Sequence, residues 1–447
     1  MLTRLFSILD LGERIAPRTP FFYGWVILFT AGSTQVVRNA TASLTIAVFV
    51  FPLSDELGWS RTLIAGAASF GGLAASAVSP GVGWLVDRYG ARLVLAVSIF
   101  ILGLSSISLA WATVPVAFYL AYGAGRVIFS SPIQIGSSVV VSRWFVRMRG
   151  RASGILFGSH SVGLVLFPLI ASLIIGASGW REAWIVLGIL VWGIALLPTA
   201  LLIVQQPEDV GLRPDGDPPA EAPAGEMARG LAFGPAPAPA VEEPVWTLRE
   251  AMRTPALWMF ATATGMVFLV QAGVNTHLAA YLRDQGLNAA FAGFGISLNA
   301  AFLGLGSIAW GWATERFPAR YVLAAVAIAV GVSSALFVIA DSRAEILVYA
   351  VLFGFGVGGL LSVPPVGYAD YYGRRSLGVI RGVTEPLTSF GQAIGAVAAG
   401  LIFDFTDSYE LAFAAFAVMG GLATGLVLFA RPPRRPAGTE HVEVPGG

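Results

Sequence analysis

Cysteine and lysine are both missing from this chain. All 27 basic residues are arginine, there are three histidines in 447 residues, and Asp, Glu, Lys and Arg together make up only 12%. An ordinary soluble domain carries about a quarter charged residues. Without cysteine there are no disulfides, thiolate nucleophiles or cysteine metal sites. Three histidines with no close spacing do not make a structural zinc site. A net charge of +1 with no basic stripe and interleaved aromatics gives no reason to expect a nucleic-acid partner. No nucleophile elbow, phosphate loop or metal cluster is present, so neither an enzyme nor a cofactor is expected. The lysine deficit has a further consequence. A guanidinium does not shed its proton, so a buried basic residue here stays charged and needs an anion.

What the chain has instead is apolar length. It is 56% hydrophobic with a mean hydropathy of +0.75, gathered into runs of ~20 or more residues, long enough to cross a hydrocarbon core. Twelve spans are predicted, at 22–51, 61–85, 92–112, 115–141, 150–176, 181–204, 255–281, 289–313, 320–340, 344–368, 380–403 and 409–430. The organisation expected is an N-terminal segment 1–21, a bundle 22–204, a linker 205–253, a second bundle 254–430 and a tail 431–447. Met1 to Pro20 lacks a compact apolar core with a cleavage site and reads as a short amphipathic lead rather than a signal peptide. Gln205 to Thr247 is rich in Pro, Ala and Glu, which predicts a linker without stable structure. With the N-terminus inside, the inside segments hold twenty-one arginines and the outside segments four. Both termini and the linker are therefore expected in the cytoplasm, in a cell (inner or plasma) membrane.

The chain also repeats itself. Gly83-Trp-Leu-Val-Asp87-Arg88-Tyr-Gly90-Ala-Arg92-Leu-Val-Leu-Ala returns 228 residues later as Gly311-Trp-Ala-Thr-Glu315-Arg316-Phe-Pro-Ala-Arg320-Tyr-Val-Leu-Ala, with eight of fourteen positions identical. A self-match at one long offset marks two copies of one unit.

The pattern Gly-x-Leu-x-Asp-Arg-x-Gly-x-Arg between the second and third spans resembles the signature loop of the major facilitator superfamily. The resemblance implies an all-α membrane protein, with twelve transmembrane helices in two six-helix bundles related by pseudo-two-fold symmetry. It further implies a central cavity lined by helices 1, 4, 7 and 10, alternating access, and a monomer as the functional unit. Asp87, Arg88, Arg92, Glu315, Arg316, Asp370 and Arg381 are the charges expected to gate the cytoplasmic side. Several stretches are similar to the monocarboxylate and oxalate–formate branch: Phe22-Tyr23-Gly24-Trp25, Pro52 to Arg61, Gly179-Trp180-Arg181, Pro207 to Pro214, His277-Leu278 and Asp370 to Arg375. That branch implies small organic anions moved with a proton or by exchange. The chain departs from it in one respect. Better-known members carry a basic residue in helix 8 or 11, where this sequence has Asn299 and Glu385.

Two cations fall deep in spans, Arg38 in the first and Arg126 in the fourth, and ionisable residues there are costly and usually functional. Thr34, Arg38, Thr41 and Thr45 recur at helical spacing, as do Tyr119, Tyr122, Arg126 and Ser130, and Thr264, Phe268, Gln271 and Asn275; such polar faces are expected to look onto a water-filled cavity. Glu385 is the only carboxylate clearly inside a span. The interior therefore carries excess positive charge, which an anionic substrate would neutralise. The expected substrate-binding set is Arg38, Asn39, Tyr119, Tyr122, Arg126, His160, Gln271, Asn275 and Asn299. His160, Glu385 and Arg126 are the proton-coupling candidates. Each has an ordinary reading beside the functional one. Arg126 can tether helices, and His160 and Asn299 can be packing residues. Glu385 can pair with Arg381 or Arg149 at the cytoplasmic gate, and Asn275 and His277 can gate the outer side. A proton-coupled carrier of a small organic anion leads. An anion exchanger and an exporter of lipophilic compounds are the alternatives; an exporter of cations would want buried acids.

Overall fold

The structure, a computed structural model, describes residues 11–217, 244–285, 289–340 and 342–434. These form helices and no strand. After a short α1 (Leu11–Ile15), the first half contains α2 (Gly24–Val37), α3 (Ser43–Ala47), α4 (Val50–Leu57), α5 (Arg61–Tyr89), α6 (Ala91–Ser108), α7 (Pro115–Ser130), α8 (Pro132–Trp144), α9 (Arg149–Ser178), α10 (Trp180–Val191) and α11 (Leu197–Leu202). The second half contains α12 (Leu248–Met252), α13 (Pro255–Asp284), α14 (Ala289–Ala313), α15 (Ala319–Val338), α16 (Arg343–Tyr372), α17 (Leu377–Thr406) and α18 (Glu410–Phe429). Among the described residues ten helices are each long and apolar enough to cross a membrane, and Gly24–Ala47 and Val50–Leu57, bent by 63° at the break between them, are long and apolar enough only together. The remaining expected span, 115–141, is broken into α7 and α8, each too short to qualify alone.

Both breaks have local causes, and both correct the expectation of continuous helices. In the first span, α2 gives way at Arg38–Thr41 to a 3₁₀ turn, and Ala42 is extended at φ −69°, ψ 158°. Side chains take over the backbone there: Asn39 donates to the Gln35 carbonyl at 3.1 Å, and Thr45 donates to the Asn39 carbonyl at 2.6 Å. Such local bonds compete with the helical ladder. In the fourth span, Pro132 has no N–H to offer and disfavours a helical residue before it, so Ser131 leaves the helix at φ −125°, ψ −72°. The chain restarts with Pro132 in the first turn of α8, where a missing donor costs nothing.

The halves meet where glycines let backbones touch. Gly83 on α5 faces the Gly378 carbonyl of α17, and a Cβ there would collide with it. Its repeat partner Gly311 on α14 sits against Gly150 and Gly154 of α9 in the same way. Small residues at such contacts allow van der Waals packing along whole helices, the main attraction between helices in a bilayer.

The expectation of an unstructured segment over 205–247 fails at its edges; its middle lies outside the described residues. Pro207–Val210 and Pro214–Gly216 are 3₁₀ turns. Asp215 adopts a left-handed φ of 58°, which a short polar side chain tolerates. Its carboxylate accepts the backbone N–H groups of Val146 at 3.1 Å, Arg147 at 2.8 Å and Met148 at 3.2 Å. At the other edge Thr247 and Glu250 form a capping box at the start of α12.

Candidate functional site

The two breaks bring the deep cations together. Phe129, at the end of α7, is shared between them: the guanidinium carbon of Arg38 lies 4.6 Å from the ring centroid and that of Arg126 lies 4.5 Å. The two cations are thus at most about 9 Å apart, where two unit charges repel by about 2 kcal/mol at an effective dielectric of about 20. Arg38 is only 4% exposed. It donates to the Gln134 side-chain oxygen, to the Phe129 carbonyl at 3.4 Å and to His160 Nδ1 at 3.3 Å. Arg126 reaches the Thr41 carbonyl at 3.5 Å and leaves its Nε buried without a partner. Gly71 makes room for its stem, since a Cβ there would meet Arg126 Cβ. Neither cation has a carboxylate within ion-pair distance among the described residues. Neutral acceptors and a ring face offset part of the cost of burying charge, and full compensation calls for an anion.

Gln134 links this pair to the second half. Its side chain accepts from Arg38, and its carbonyl accepts from Arg381 of α17 at 3.1 Å. Arg381 also donates to Ser138 and lies 3.7 Å from Glu385 one turn further along α17. Glu385 therefore pairs within its own helix. It is Arg381 that crosses between the halves, and Arg149, the other partner considered for Glu385, pairs instead with Asp370 at 3.0 Å.

His160 occupies a defined chemical position. Nδ1 faces two donors, Arg38 Nε at 3.3 Å and Asn39 Nδ2 at 3.0 Å. A guanidinium can only donate, so this nitrogen presents its lone pair and the ring proton belongs on Nε2. Placing a second proton on Nδ1 requires Arg38 to withdraw and the Asn39 amide to turn its unpartnered oxygen toward the ring.

Other expected site residues serve the scaffold. Asn39 is fully buried and fixes His160 through its ring and carbonyl. Tyr122 is fully buried, with its hydroxyl on the Thr41 carbonyl at 3.0 Å. Tyr119 ties α7 to α5 through the Leu63 carbonyl at 2.9 Å. Asn299 ties α14 to α16 through the Ala350 carbonyl at 2.8 Å. His277 has Tyr409 on one ring nitrogen and the Ala396 carbonyl on the other. Gln271 and Asn275 are half-buried on α13, and Asn275 Oδ1 is buried without a partner. Phe129, Gln134 and Ser138 were not anticipated. The Ser131-Pro132 pair was the one sequence signal that this part of the fourth span is re-aimed.

At one end of the molecule the repeat acts as a matched pair of clasps. Asp87 accepts the backbone N–H of Gly378 at 3.2 Å and of Val379 at 2.8 Å, and the Arg143 guanidinium at 3.2 Å. Glu315 accepts the Arg151 backbone N–H at 2.9 Å and its guanidinium Nε at 2.9 Å. Val379 and Arg151 are related by the same 228-residue offset as Glu315 and Asp87. Each carboxylate thus sits on the first turn of a helix from the opposite half, where unpaired N–H groups and the helix dipole favour negative charge. Asp370–Arg149 and the bond from Arg374 to the Arg143 carbonyl at 2.7 Å reinforce the seam. Arg88, Arg92 and Arg316, expected to pair across it, stay local. Arg88 lies over Trp84 and Arg316 over Trp312, while Arg92 donates to the Ala200 carbonyl at 2.9 Å. An aromatic face one turn away helps to satisfy Arg88 and Arg316.

This arrangement, two repeated halves clasped at one end with a pair of cations inside, Arg38 buried and Arg126 half-buried, is that of a membrane transporter. The Major Facilitator Superfamily profile matches residues 31–302 and 278–445, and the chain belongs to that family. It is 24% identical over 432 residues to the uncharacterized MFS-type transporter YcxA of Bacillus subtilis, covering 93% of this chain and 96% of that one. It is 23% identical over 435 residues to the oxalate:formate antiporter of Oxalobacter formigenes, covering 90% and 94%. The crystal structure of the human organic anion transporter MFSD10 superposes with a TM-score of 0.69 at 12% identity, over 90% of this chain and 99% of that one, a likeness of fold.

Proposed function

We propose that this transporter carries a small organic carboxylate together with a proton by alternating access, as a monomer in a cell membrane with both termini in the cytoplasm. The observation that carries the reading is the pair Arg38 and Arg126, set around Phe129 with no carboxylate within ion-pair distance of either among the described residues. Cargo supplies the missing charge. Its carboxylate accepts from both guanidiniums and draws Arg38 off His160 Nδ1. The freed imidazole then takes a proton, so anion and proton favour each other at one site. Gln271 and Asn275, half-buried on α13 with the Asn275 Oδ1 unpartnered, are assigned the uncharged part of the cargo. The resemblance to an oxalate:formate antiporter over nearly the whole length supports an organic anion. With the Asp87 end in the cytoplasm, the clasped state is closed to the cytoplasm.

The test is uptake of labelled mono- and dicarboxylates into proteoliposomes by wild type and by Arg38→Gln with Arg126→Gln. The double variant is expected to fold and to lose all saturable uptake; normal uptake ends the reading. Counterflow without a pH gradient separates exchange from symport.

A further inference from the structure

A second collection of cations lies away from Arg38 and Arg126. A pocket of about 840 Å³ opens at the clasped end and is lined by five arginines, Arg88, Arg92, Arg143, Arg374 and Arg375. Three carboxylates, Glu13, Asp87 and Asp209, also face it, so the lining carries an excess of two positive charges. Much of this is committed. Arg143 is held by Asp87, Arg374 by Glu208, and Arg92 lies 3.9 Å from Glu13. Arg88 and Arg375 are different: both are exposed, and neither has a carboxylate partner among the described residues. Arg88 lies over the rings of Trp84 and Tyr89, which hold its fork in place while leaving its N–H groups free. Arg88 belongs to the first half and Arg375 to the second, and the segments 205–206 and 244–245 border the same space.

We propose that this pocket binds a phosphate-bearing polyanion, and that binding holds the two halves together. Two uncommitted guanidiniums lining one pocket, one from each half, call for at least two negative charges on one ligand, more than a monocarboxylate carries. Phosphate oxygens match the planar fork of arginine bidentately. The volume suits a ligand larger than one inorganic ion, within the range of small-molecule sites. Because the walls come from both halves, the ligand has its full set of contacts only in the clasped state. It therefore shifts the population toward that state and slows the transport cycle. A soluble polyphosphate compound and an anionic lipid headgroup present the same chemistry.

The experiment uses the full-length purified protein with pyrophosphate as probe. Melting temperature is read in detergent, together with the distance between labels placed on either half at this end. Pyrophosphate is expected to raise the melting temperature saturably and shorten the distance. Its apparent dissociation constant should rise at least tenfold in Arg375→Gln, an exposed position whose change leaves the seam untouched, and binding should vanish in Arg88→Gln with Arg375→Gln. Arg431→Gln with Arg434→Gln removes equal charge elsewhere and should change nothing. The variant lacking Arg38 and Arg126 should still respond to pyrophosphate, which separates this site from the cargo site. Nanodiscs of phosphatidylcholine with and without cardiolipin, whose headgroup carries two phosphates, resolve the source. A pyrophosphate response in the neutral discs marks a soluble ligand, whereas a response to cardiolipin alone, lost in the same variants, marks a headgroup. Equal responses in all variants, or no response to either probe, overturn the proposal.

Discussion

Asp87 accepts the backbone N–H of Val379 at 2.8 Å, so a residue of the first half caps a helix of the second. Hydrogen bonds to charged groups are worth about 1.5–3 kcal/mol. Asp87→Asn keeps the shape and removes the charge. It is expected to shift the seam toward opening by about tenfold to a hundredfold, at roughly 1.4 kcal/mol per tenfold. Label distances across this end should lengthen while the melting curve stays cooperative. An unchanged distance distribution would show that the clasp carries no weight.

Gly83→Val tests the same seam by shape. A side chain at Gly83 meets the Gly378 carbonyl only when the halves are closed. Cargo binding in detergent should persist, while net transport falls to background because the clasped state is no longer reached. Gly311→Val, its repeat counterpart, should behave alike.

Phe129→Leu removes the ring that both deep guanidiniums use. Each cation–π contact is worth about 1–2 kcal/mol when desolvated. Carboxylate affinity, measured calorimetrically, should fall about tenfold or more, and Phe129→Tyr should retain most of it. If the ring acts through the cations, adding Phe129→Leu to Arg126→Gln should cost less than the two changes sum to separately.

Tyr122→Phe separates scaffold from site. The lost bond to the Thr41 carbonyl is expected to cost about 1 kcal/mol of stability. Cargo affinity should stay within about twofold; a larger loss would return Tyr122 to the binding set.

Uptake should rise as the outside pH falls, because the anion draws Arg38 away and lets the His160 imidazole take a proton. His160→Gln should flatten that dependence, whereas Glu385→Gln should leave it in place, since Glu385 pairs with Arg381 at 3.7 Å and lies outside ion-pair distance of Arg38. A pH dependence that survives in His160→Gln and disappears in Glu385→Gln would move the proton to the carboxylate.

The cations were legible because charge inside an apolar run has no ordinary explanation. Their surroundings were not. A continuous helix would have put Thr34, Thr41 and Thr45 on one wet face. Instead, unwinding at Arg38–Thr41 turns backbone carbonyls toward Arg126 and Tyr122, and the break at Ser131 re-aims Gln134 onto Arg38. Periodicity assumes a helix and fails where the helix stops. The signature loop disclosed the fold; that Asp87 and Glu315 accept from helices of the opposite half comes from the structure. The local stacking of Arg88 and Arg316 escaped notice because spacing alone does not say which neighbour satisfies a charge. Asp215 was masked by its composition: a Pro-Asp-Gly turn within a low-complexity stretch reads as filler, yet three backbone donors converge on its side chain.

That grip by Asp215 has a practical corollary. It fastens the exit of the first half to the loop at Val146–Met148, just as the capping box at Thr247 begins the second half independently. Each bundle thus carries its own terminal fastening, which predicts that covalent continuity between them can be given up. A cut made between 218 and 243, or co-expression of the two pieces from separate messages, should yield a reassembled and working carrier.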